Sequence, residues 1–319
     1  ENSIQQFVNQ NNVIGLAVGI SKGNNFIFKQ GFGYQDRENR ISISTSDSLF
    51  RWASMSKMIT SIITLKLLYE HKIELSHDVQ NFYKNFFIPN KRIKICSKGN
   101  TLEKIGDYYH ACLGGYAEYE VHKTEFVNFE HLLSNRSGIC SYDNTRYQSF
   151  PKDREMKSKD LNTKHFSYFL KYALDTPYVN NPGEEYNYTT FGFNFLGYLL
   201  ELVSQKTYME LFDKYINPDG KFKTIMPDRE IDKHLYPNRV KGYKRGKLTD
   251  DTDVSFKLPG GGFMSNLDDA LSFCQSLKHK LTLYEKLLAW RMISLDNNYA
   301  YGLGFMIWHD YENGRFSVG

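Results

Sequence analysis

The alternation of apolar and polar residues predicts β-strands at both ends of the chain. Near the N-terminus, residues 13–20 (VIGLAVGI) and 26–30 (FIFKQ) flank the sequence KGNN, in which Gly and Asn tolerate the positive φ of a tight hairpin. Near the C-terminus, residues 299–319 contain the strand-like YAYGLGFMIWHD, a turn at 312–314 and a final RFSVG. We therefore expect the two ends to pair in one antiparallel sheet.

The interior of the chain shows helical spacing of its apolar residues instead. The clearest run covers residues 54–71, and further runs cover 191–203 and 266–278. A short helix that ends in a loop is expected within 130–140, while residues 80–128 are irregular. The interior is therefore predicted to be mostly helical.

Strands at the ends and helices between them predict an α/β (α+β) fold, in which helices flank an antiparallel sheet and a mostly helical lobe is inserted. We expect residues 1–80 and 251–319 to form the sheet domain and residues 81–250 to form the lobe. The chain has 319 residues, of which 41% are hydrophobic and 24% charged. This composition is typical of a soluble globular enzyme and excludes disordered and fibrous proteins.

The chain shows no sequence signal for a membrane. Polar residues interrupt every apolar run well before the roughly 20 residues that a membrane span needs. The N-terminal ENSIQQFVNQ lacks a basic stretch followed by an apolar one. We therefore expect no membrane span, and no signal or transit peptide is visible at this start, although a processed or trimmed start would look the same.

Charge, cysteine and histidine patterns argue against nucleic-acid and metal sites. The formal charge is +4, and the densest basic run, KRIKICSK at 91–98, alternates with apolar residues as an exposed strand face does. The cysteines show no CxxC spacing, the histidines form no HExxH, and His309 is read as structural or exposed. The glycines at 260–262 precede no Lys-Ser/Thr pair, which favours close backbone packing over nucleotide binding. We expect no cofactor, no metal and no nucleic-acid partner.

A nucleophile and a base stand three residues apart at the start of the first long helix. In FRWASMSKMIT, Ser54 is followed by Lys57, and side chains at i and i+3 share one face of a helix. A serine hydroxyl needs a base to remove its proton, and a buried lysine with a lowered pKa can serve. Ser-x-x-Lys alone is a weak motif, since an exposed Ser and Lys at a helix start fit equally well.

Several further segments resemble one superfamily, in the order in which it carries them. They are GLAVGISKGNNFIFKQGFGYQDRENR, DSLFRWASMSK, LLSNRSGI, PGEEYNYTTFGFNFLGYLLE, GGGFMSNLDDALSF and YGLGF. The chain resembles the penicillin-binding-protein and serine beta-lactamase-like superfamily, which includes class C beta-lactamases, D-alanyl-D-alanine carboxypeptidases and esterases. Within it, Tyr-Thr-Thr-Phe-Gly in place of Tyr-x-Asn makes the chain most similar to the mitochondrial serine beta-lactamase-like subgroup of animals. The resemblance implies a beta-lactamase/transpeptidase-like fold.

The resemblance implies roles for particular residues. Ser54 would be the acylated nucleophile, Lys57 its base and Tyr188 of PGEEYNYTT the relay of a proton to the leaving group. Tyr186 competes for that role, but counting from Pro-Gly favours Tyr188 and leaves Tyr186 as core packing. Thr190 stands in the usual place of a substrate-binding Asn, where a hydroxyl makes fewer hydrogen bonds than an amide. We expect the Ser54, Lys57 and Tyr188 polar atoms to converge within hydrogen-bonding reach.

Two positions depart from the superfamily's pattern. Asn135 in LLSNRSGI stands where relatives often have His; it is a candidate substrate-binding residue, although loop capping is the more common use of such an Asn. The resemblance also predicts a third motif, Lys-Thr-Gly or His-x-Gly, which supplies an oxyanion-hole N–H, beginning where the sequence ends at Gly319. We expect the natural protein to continue there; the alternative is that the oxyanion hole and closing strands are missing.

The resulting functional hypothesis is a serine hydrolase that forms an acyl-enzyme with a small peptide, amide or ester substrate. The alternative is a catalytically inactive beta-lactamase-like subunit with a structural or assembly role, because fold does not fix function. A homo-oligomer or larger assembly stays open in either case. The resemblance places the protein in the mitochondrion, and a bacterial origin would place it outside the cytoplasm.

Overall fold

A computed structural model describes residues 2–83, 95–96, 100–105, 108–113, 116–117, 127–139, 180–296, 299–310 and 315–319. The chain divides into two compact units. The first unit contains Glu1–Ala53, Asp219–Leu258 and Gly262–Leu281. The second contains Ser54–Pro218, Pro259–Gly261 and Thr282–Gly319.

The helices and strands have the following bounds in chain order. The described α-helices are α1 (Asn2–Gln10), α2 (Ser56–Glu70), α3 (Gln80–Tyr83), α4 (Phe129–Leu133), α5 (Thr190–Ser204), α6 (Tyr208–Tyr215), α7 (Leu258–Gly261), α8 (Leu267–Lys280) and α9 (Leu283–Ala289). The described strands are β1 (Gly15–Lys22), β2 (Asn25–Asp36), β3 (Ile41–Ser42), β4 (Phe50–Arg51), β5 (Ile95–Cys96), β6 (Asn100–Ile105), β7 (Tyr108–Leu113), β8 (Tyr116–Ala117), β9 (Met226–Pro227), β10 (Tyr243–Lys244), β11 (Lys247–Leu248), β12 (Phe263–Ser265), β13 (Ser294–Asp296), β14 (Tyr299–Tyr301), β15 (Met306–Asp310) and β16 (Arg315–Val318).

The first unit is built on the N-terminal hairpin. Strands β1, β2 and β3 form an antiparallel sheet in that order, and α8 packs on β1. Gly19 permits this approach, because a Cβ there would lie 2.4 Å from Cδ1 of Leu271. A second antiparallel sheet in this unit has the order β4-β12-β9. The Trp52 ring, next to β4 in the chain, packs at a tilt against the Phe273 ring, with 5.2 Å between the ring centroids.

The second unit has a helical core. Helix α5 packs against α2, α4 and α6, and both α2 and α5 are buried over most of their length. Most residues of α5 are apolar, whereas α2 also buries serine and threonine hydroxyls and the Lys57 side chain. Helix α5 begins with a side-chain cap, in which the Thr189 hydroxyl accepts a hydrogen bond from the Gly192 N–H. Strands β13, β14, β15 and β16 form an antiparallel sheet in that order. The core fixes α2, the helix that follows Ser54.

The elements predicted from the sequence are largely confirmed, and so is the α/β fold class. The N-terminal hairpin, the three long helices, the short helix before residue 135 and the C-terminal strands are all present; the predicted turn at 312–314 lies outside the described residues. The single sheet expected from both chain ends is wrong within the described residues. Two sheets occur instead, because β1 pairs only with β2 and β16 only with β15.

The middle of the chain contains strands as well as helices. Strands β5 and β8 form one two-stranded pair and β6 and β7 form another, in a region that the sequence pattern left irregular. The division into a sheet domain of 1–80 and 251–319 and a lobe of 81–250 stays a prediction.

Candidate active site

Ser54 occupies a short turn that precedes helix α2. Residues Ala53–Met55 form one 3₁₀ turn, and the α-helix begins at Ser56, two residues later than the predicted start. Ala53 has a φ of 47°, a left-handed conformation that costs energy for a residue with a Cβ. The Ser54 side chain is exposed at the end of this turn, so its hydroxyl is accessible to a substrate.

Lys57 lies beneath Ser54 and is almost completely buried, with 1% of the residue exposed. Its Nζ donates to the Gly260 main-chain oxygen at 2.7 Å, to Ser54 Oγ at 3.2 Å and to Thr190 Oγ1 at 3.3 Å. The same Nζ lies 4.7 Å from the centre of the Tyr188 ring, within the range of a cation–π contact. The lysine amine is thus held against the serine hydroxyl by groups from two parts of the second unit, the Tyr188–Thr190 segment and Gly260.

Tyr188 approaches Ser54 from the other side. Its hydroxyl donates to Ser54 Oγ at 2.5 Å, and its side chain is half-buried. Ser54, Lys57 and Tyr188 therefore lie within the hydrogen-bonding reach that the sequence analysis predicted, across 134 residues between Ser54 and Tyr188. A nucleophile contacted by both an amine and a phenol has two routes for its proton.

Asn135 anchors the segment that carries Tyr188. Its main-chain oxygen accepts a hydrogen bond from the Asn187 N–H at 2.8 Å, and its Oδ1 accepts one from the Thr189 N–H at 3.1 Å. Asn135 is completely buried and has a φ of 56°, a conformation that Asn adopts more readily than most residues. These contacts are those of a loop-capping residue.

Tyr301 was missed by the sequence analysis, which read it only as part of a strand. Its buried ring packs edge-on to Tyr188 at 6.2 Å and against Tyr186 at 5.6 Å between centroids. Burial, followed by the charges of Tyr188 and Tyr186, raises the pKa of Tyr301 well above its ordinary value, and a hydrogen bond with Asn135 opposes the rise. Tyr301 therefore stays uncharged and packs against the Tyr188 ring. A strand tyrosine gives no local signal of such a role.

Two residues predicted to bind substrate, Thr190 and Asn135, are buried. The Thr190 hydroxyl accepts from Lys57, and the Asn135 oxygens accept from the backbone around Tyr188. Thr190 therefore contacts Lys57 directly, and Asn135 contacts the residues on either side of Tyr188. Contact of either residue with a substrate stays a prediction.

Gly260 contributes a carbonyl group to the site. A Cβ at this position would lie 2.5 Å from Thr190 Cγ2 and 2.9 Å from the Thr190 main-chain oxygen, so the backbone approaches α5 as closely as the predicted close packing requires. The hydrogen bond that the Gly260 oxygen accepts from Lys57 was not predicted from the sequence. No side chain marks such a contact in a sequence.

The described part of the chain offers no obvious place for a metal ion. No three His, Cys, Asp or Glu side chains are grouped there so that they could hold one. None of the described helices is both long enough and apolar enough to cross a membrane. The side chain of His309 lies outside what the structure describes.

A family profile and a curated relative both identify beta-lactamase-like proteins as similar to this chain. A family profile described as Beta-lactamase matches residues 1–317. The serine beta-lactamase-like protein LACTB, mitochondrial, of Homo sapiens is 24% identical over 295 residues, which are 81% of this chain and 52% of the human protein. The chain thus spans about half the length of this relative.

Two solved structures share the fold. The octameric penicillin-binding protein homologue from Pyrococcus abyssi has a TM-score of 0.70 and 20% identity, with 99% of this chain and 66% of that chain covered. EstCE1, described as a hydrolase with promiscuous acyltransferase activity, has a TM-score of 0.71 and 15% identity, with 98% and 82% covered.

Proposed function

The chain belongs to the beta-lactamase family, and on that premise we propose that it is a serine hydrolase in which Ser54 forms an acyl-enzyme. The observation that carries the proposal is the convergence on one exposed hydroxyl: Lys57 Nζ lies 3.2 Å from Ser54 Oγ and the Tyr188 hydroxyl lies 2.5 Å from it. The description of EstCE1 as a hydrolase with acyltransferase activity supports the same chemistry.

The proposed reaction has two stages. In the first, Ser54 Oγ attacks the substrate carbonyl carbon while its proton passes to the neutral amine of Lys57. Backbone N–H groups hold the oxyanion, and Tyr188 delivers a proton to the leaving group as the scissile bond breaks; the proton on Lys57 then passes to the Tyr188 oxygen, so that both groups return to their starting state. In the second, water attacks the acyl carbonyl and gives a proton to the neutral Lys57 amine. Lys57 passes that proton to Ser54 Oγ as the acyl–Oγ bond breaks, which releases the acid and restores the Ser54 hydroxyl.

We assign the substrate to small peptides, amides or esters rather than beta-lactams. Thr190 replaces the amide that usually orients a lactam, and its hydroxyl already accepts from Lys57 at 3.3 Å in a buried position. A hydroxyl also offers fewer hydrogen bonds than an amide.

Fluorophosphonate labelling followed by peptide mass mapping tests the proposal. We expect wild-type protein to gain one adduct on the peptide that contains Ser54, and Ser54→Ala to gain none. Ser76→Ala is the matched control, because Ser76 is an exposed serine of the same unit and its loss should leave labelling unchanged. Equal labelling of wild type and Ser54→Ala would remove Ser54 as nucleophile. A wild-type protein that neither labels nor hydrolyses p-nitrophenyl esters would favour the inactive assembly role.

Assembly and localisation follow the relatives and are proposed separately. The Pyrococcus abyssi homologue is described as octameric, so we propose that this protein forms a homo-oligomer, which light scattering coupled to size-exclusion chromatography would reveal as a mass of several chains. The human relative is described as mitochondrial, so we propose the same compartment. Fractionation of the source cells would test it, and recovery outside mitochondria would refute it.

A further inference from the structure

The position of the Lys57 amine depends on a short backbone segment. Its hydrogen bond to the Gly260 main-chain oxygen is 2.7 Å long, compared with 3.2 Å to Ser54 and 3.3 Å to Thr190. A shift of Gly260 would therefore move the amine relative to the nucleophile. What holds this carbonyl in place matters for a proton transfer that tolerates little displacement.

The preceding residue, Pro259, is fixed by a pair of hydroxyl groups. Thr60 Oγ1 donates to the Pro259 main-chain oxygen at 2.6 Å, and the Tyr208 hydroxyl lies 2.6 Å from Thr60 Oγ1. A carbonyl oxygen can only accept, so the single Thr60 proton points to Pro259. The Tyr208 hydroxyl must then donate to Thr60. The pair forms a directed chain that ends on the carbonyl next to Gly260.

The helices α2 and α5 reinforce this arrangement. Lys57 and Thr60 lie three residues apart on α2 and donate to the carbonyls of Gly260 and Pro259, so one helix face binds two consecutive peptide units. Asn194 of α5 accepts from the Gly260 N–H at 3.2 Å. Gly197 of the same helix leaves room for the proline ring, since a Cβ there would lie 2.3 Å from Pro259 Cγ.

Burial excludes bulk water from the hydroxyl groups of Thr60 and Tyr208. Thr60 and Tyr208 are both almost fully buried, so bulk water has no access to substitute for either hydroxyl. Burial also raises the pKa of Tyr208 above its ordinary value, which leaves its hydroxyl protonated, as a donor, at every pH at which the enzyme would work.

We propose that Thr60 and Tyr208 are positioning residues for Lys57, acting through the Pro259–Gly260 peptide rather than by touching the substrate. This rests on the proposed function, because it concerns the base of that reaction. The hydrogen bond that Lys57 donates to the Gly260 carbonyl stabilises the ammonium form of the lysine. A loosened Gly260 carbonyl therefore both misplaces the amine and lowers the pH at which it loses its proton.

Two hydroxyl deletions test the proposal through acylation kinetics. Thr60→Val and Tyr208→Phe keep shape while removing one hydroxyl each. We expect the plateau rate of fluorophosphonate acylation to fall about 10- to 100-fold per folded molecule, and the acidic limb of the pH–rate profile to move to lower pH. Thr60→Ser, which retains the hydroxyl, should restore most of the rate.

Matched controls separate positioning from mere stability. Thr64→Val removes a buried hydroxyl one turn further along α2, which donates to the Thr60 main-chain oxygen at 2.7 Å, and Tyr198→Phe removes a buried phenol from α5. Both should destabilise the fold without changing the rate or profile of the folded fraction. Equal rates in all four variants, or equal losses in controls and test variants, would overturn the inference.

The inference can fail separately from the proposed function. If wild-type protein does not label at Ser54, the hydrolase proposal fails, yet the Lys57 titration can still be followed by NMR of ¹³C-labelled lysine. Thr60→Val and Tyr208→Phe should then lower the Lys57 midpoint relative to Thr64→Val. An unchanged midpoint would refute positioning, while Ser54 labelling with unchanged variants would refute positioning and leave the hydrolase proposal intact.

Discussion

Asn135 holds Tyr188 through the residues on either side of it in the chain. Its main-chain oxygen accepts from Asn187 at 2.8 Å and its Oδ1 accepts from Thr189 at 3.1 Å. A side chain that never reaches Ser54 can therefore determine where the Tyr188 hydroxyl lies.

Replacing Asn135 by Gly should slow acylation about 10-fold by loosening Tyr188. Glycine accepts the φ of 56° at this position, so the change removes the Oδ1 acceptor without adding backbone strain. Stopped-flow acylation gives the rate. The control is Asn128→Gly, which removes the Oδ1 that accepts from His131 at the start of α4; it should cost stability but leave the rate alone. A comparable slowing in both variants would make Asn135 a general stability residue.

Tyr188→Phe should lower acyl transfer about 10²- to 10⁴-fold, the usual contribution of a positioned proton donor. The ring and its contacts with Lys57 and Tyr301 are kept, so only the hydroxyl at 2.5 Å from Ser54 is lost. Tyr186→Phe retains the ring that packs on Tyr301 and should act like wild type. Ester hydrolysis measures both. A larger loss in Tyr186→Phe would transfer the relay role to Tyr186.

Lys57→Arg should lower the rate of acylation by at least about 100-fold, although the positive charge is retained. A guanidinium stays protonated and cannot accept the Ser54 proton. Lys66→Arg is the comparison, because Lys66 lies on the same helix and forms an ion pair with Glu285 at 2.9 Å, which Arg can also form. The measurement is single-turnover labelling across pH 5–10. Retained acylation in Lys57→Arg would show that the base is another group.

Glu201 should make stability fall as pH rises from 4.5 to about 7. Burial raises its pKa from 4.5 to about 7, although a hydrogen bond from the Tyr208 N–H opposes the rise. The folded state then binds the proton more tightly than the unfolded state between these values, so the neutral form stabilises the fold below pH 4.5 and this contribution is lost by pH 7.

Glu201→Gln should remove that loss. The quantity to compare is the unfolding free energy of the variant minus that of wild type. At about 1.4 kcal/mol per pKa unit, this difference should be larger at pH 8 than at pH 5 by on the order of 2–3 kcal/mol, in favour of the variant. Urea unfolding at both values measures it. Glu210→Gln is the control, since Thr207 hydrogen bonds lower the Glu210 pKa and predict no gain at pH 8. A pH-independent difference for Glu201→Gln would contradict the raised pKa.

Local pattern was sufficient for most of the fold. Helices α2, α5 and α8 each carry long apolar runs at helical spacing, and the N-terminal hairpin carries its own turn residues, so each was predictable within a few residues. The start of α2 was not, because the left-handed Ala53 that sets the 3₁₀ turn has no sequence signature. The separation of the terminal strands into two sheets is a matter of long-range pairing, which periodicity does not encode.

The candidate site divides in the same way. Ser54, Lys57 and Tyr188 were found through side-chain motifs, and their distances agree with that reading. The Gly260 carbonyl and the Tyr301 ring were missed because one contact uses the main chain and the other is an aromatic packing contact between distant strands and loops. Neither leaves a recognisable spacing.

The 3₁₀ turn at Ala53–Met55 limits how far Ser54 and Lys57, the proposed nucleophile and base, could be transplanted by protein engineering. Ser54 lies in this turn, whereas Lys57 lies on the α-helix that begins at Ser56. Writing Ser-x-x-Lys into an ordinary helix of another scaffold would place both residues on one continuous α-helix, which is a different backbone from the one found here. A graft would need the turn, its left-handed entry residue and an external carbonyl equivalent to that of Gly260, so the portable unit is a three-dimensional assembly and not a four-letter motif.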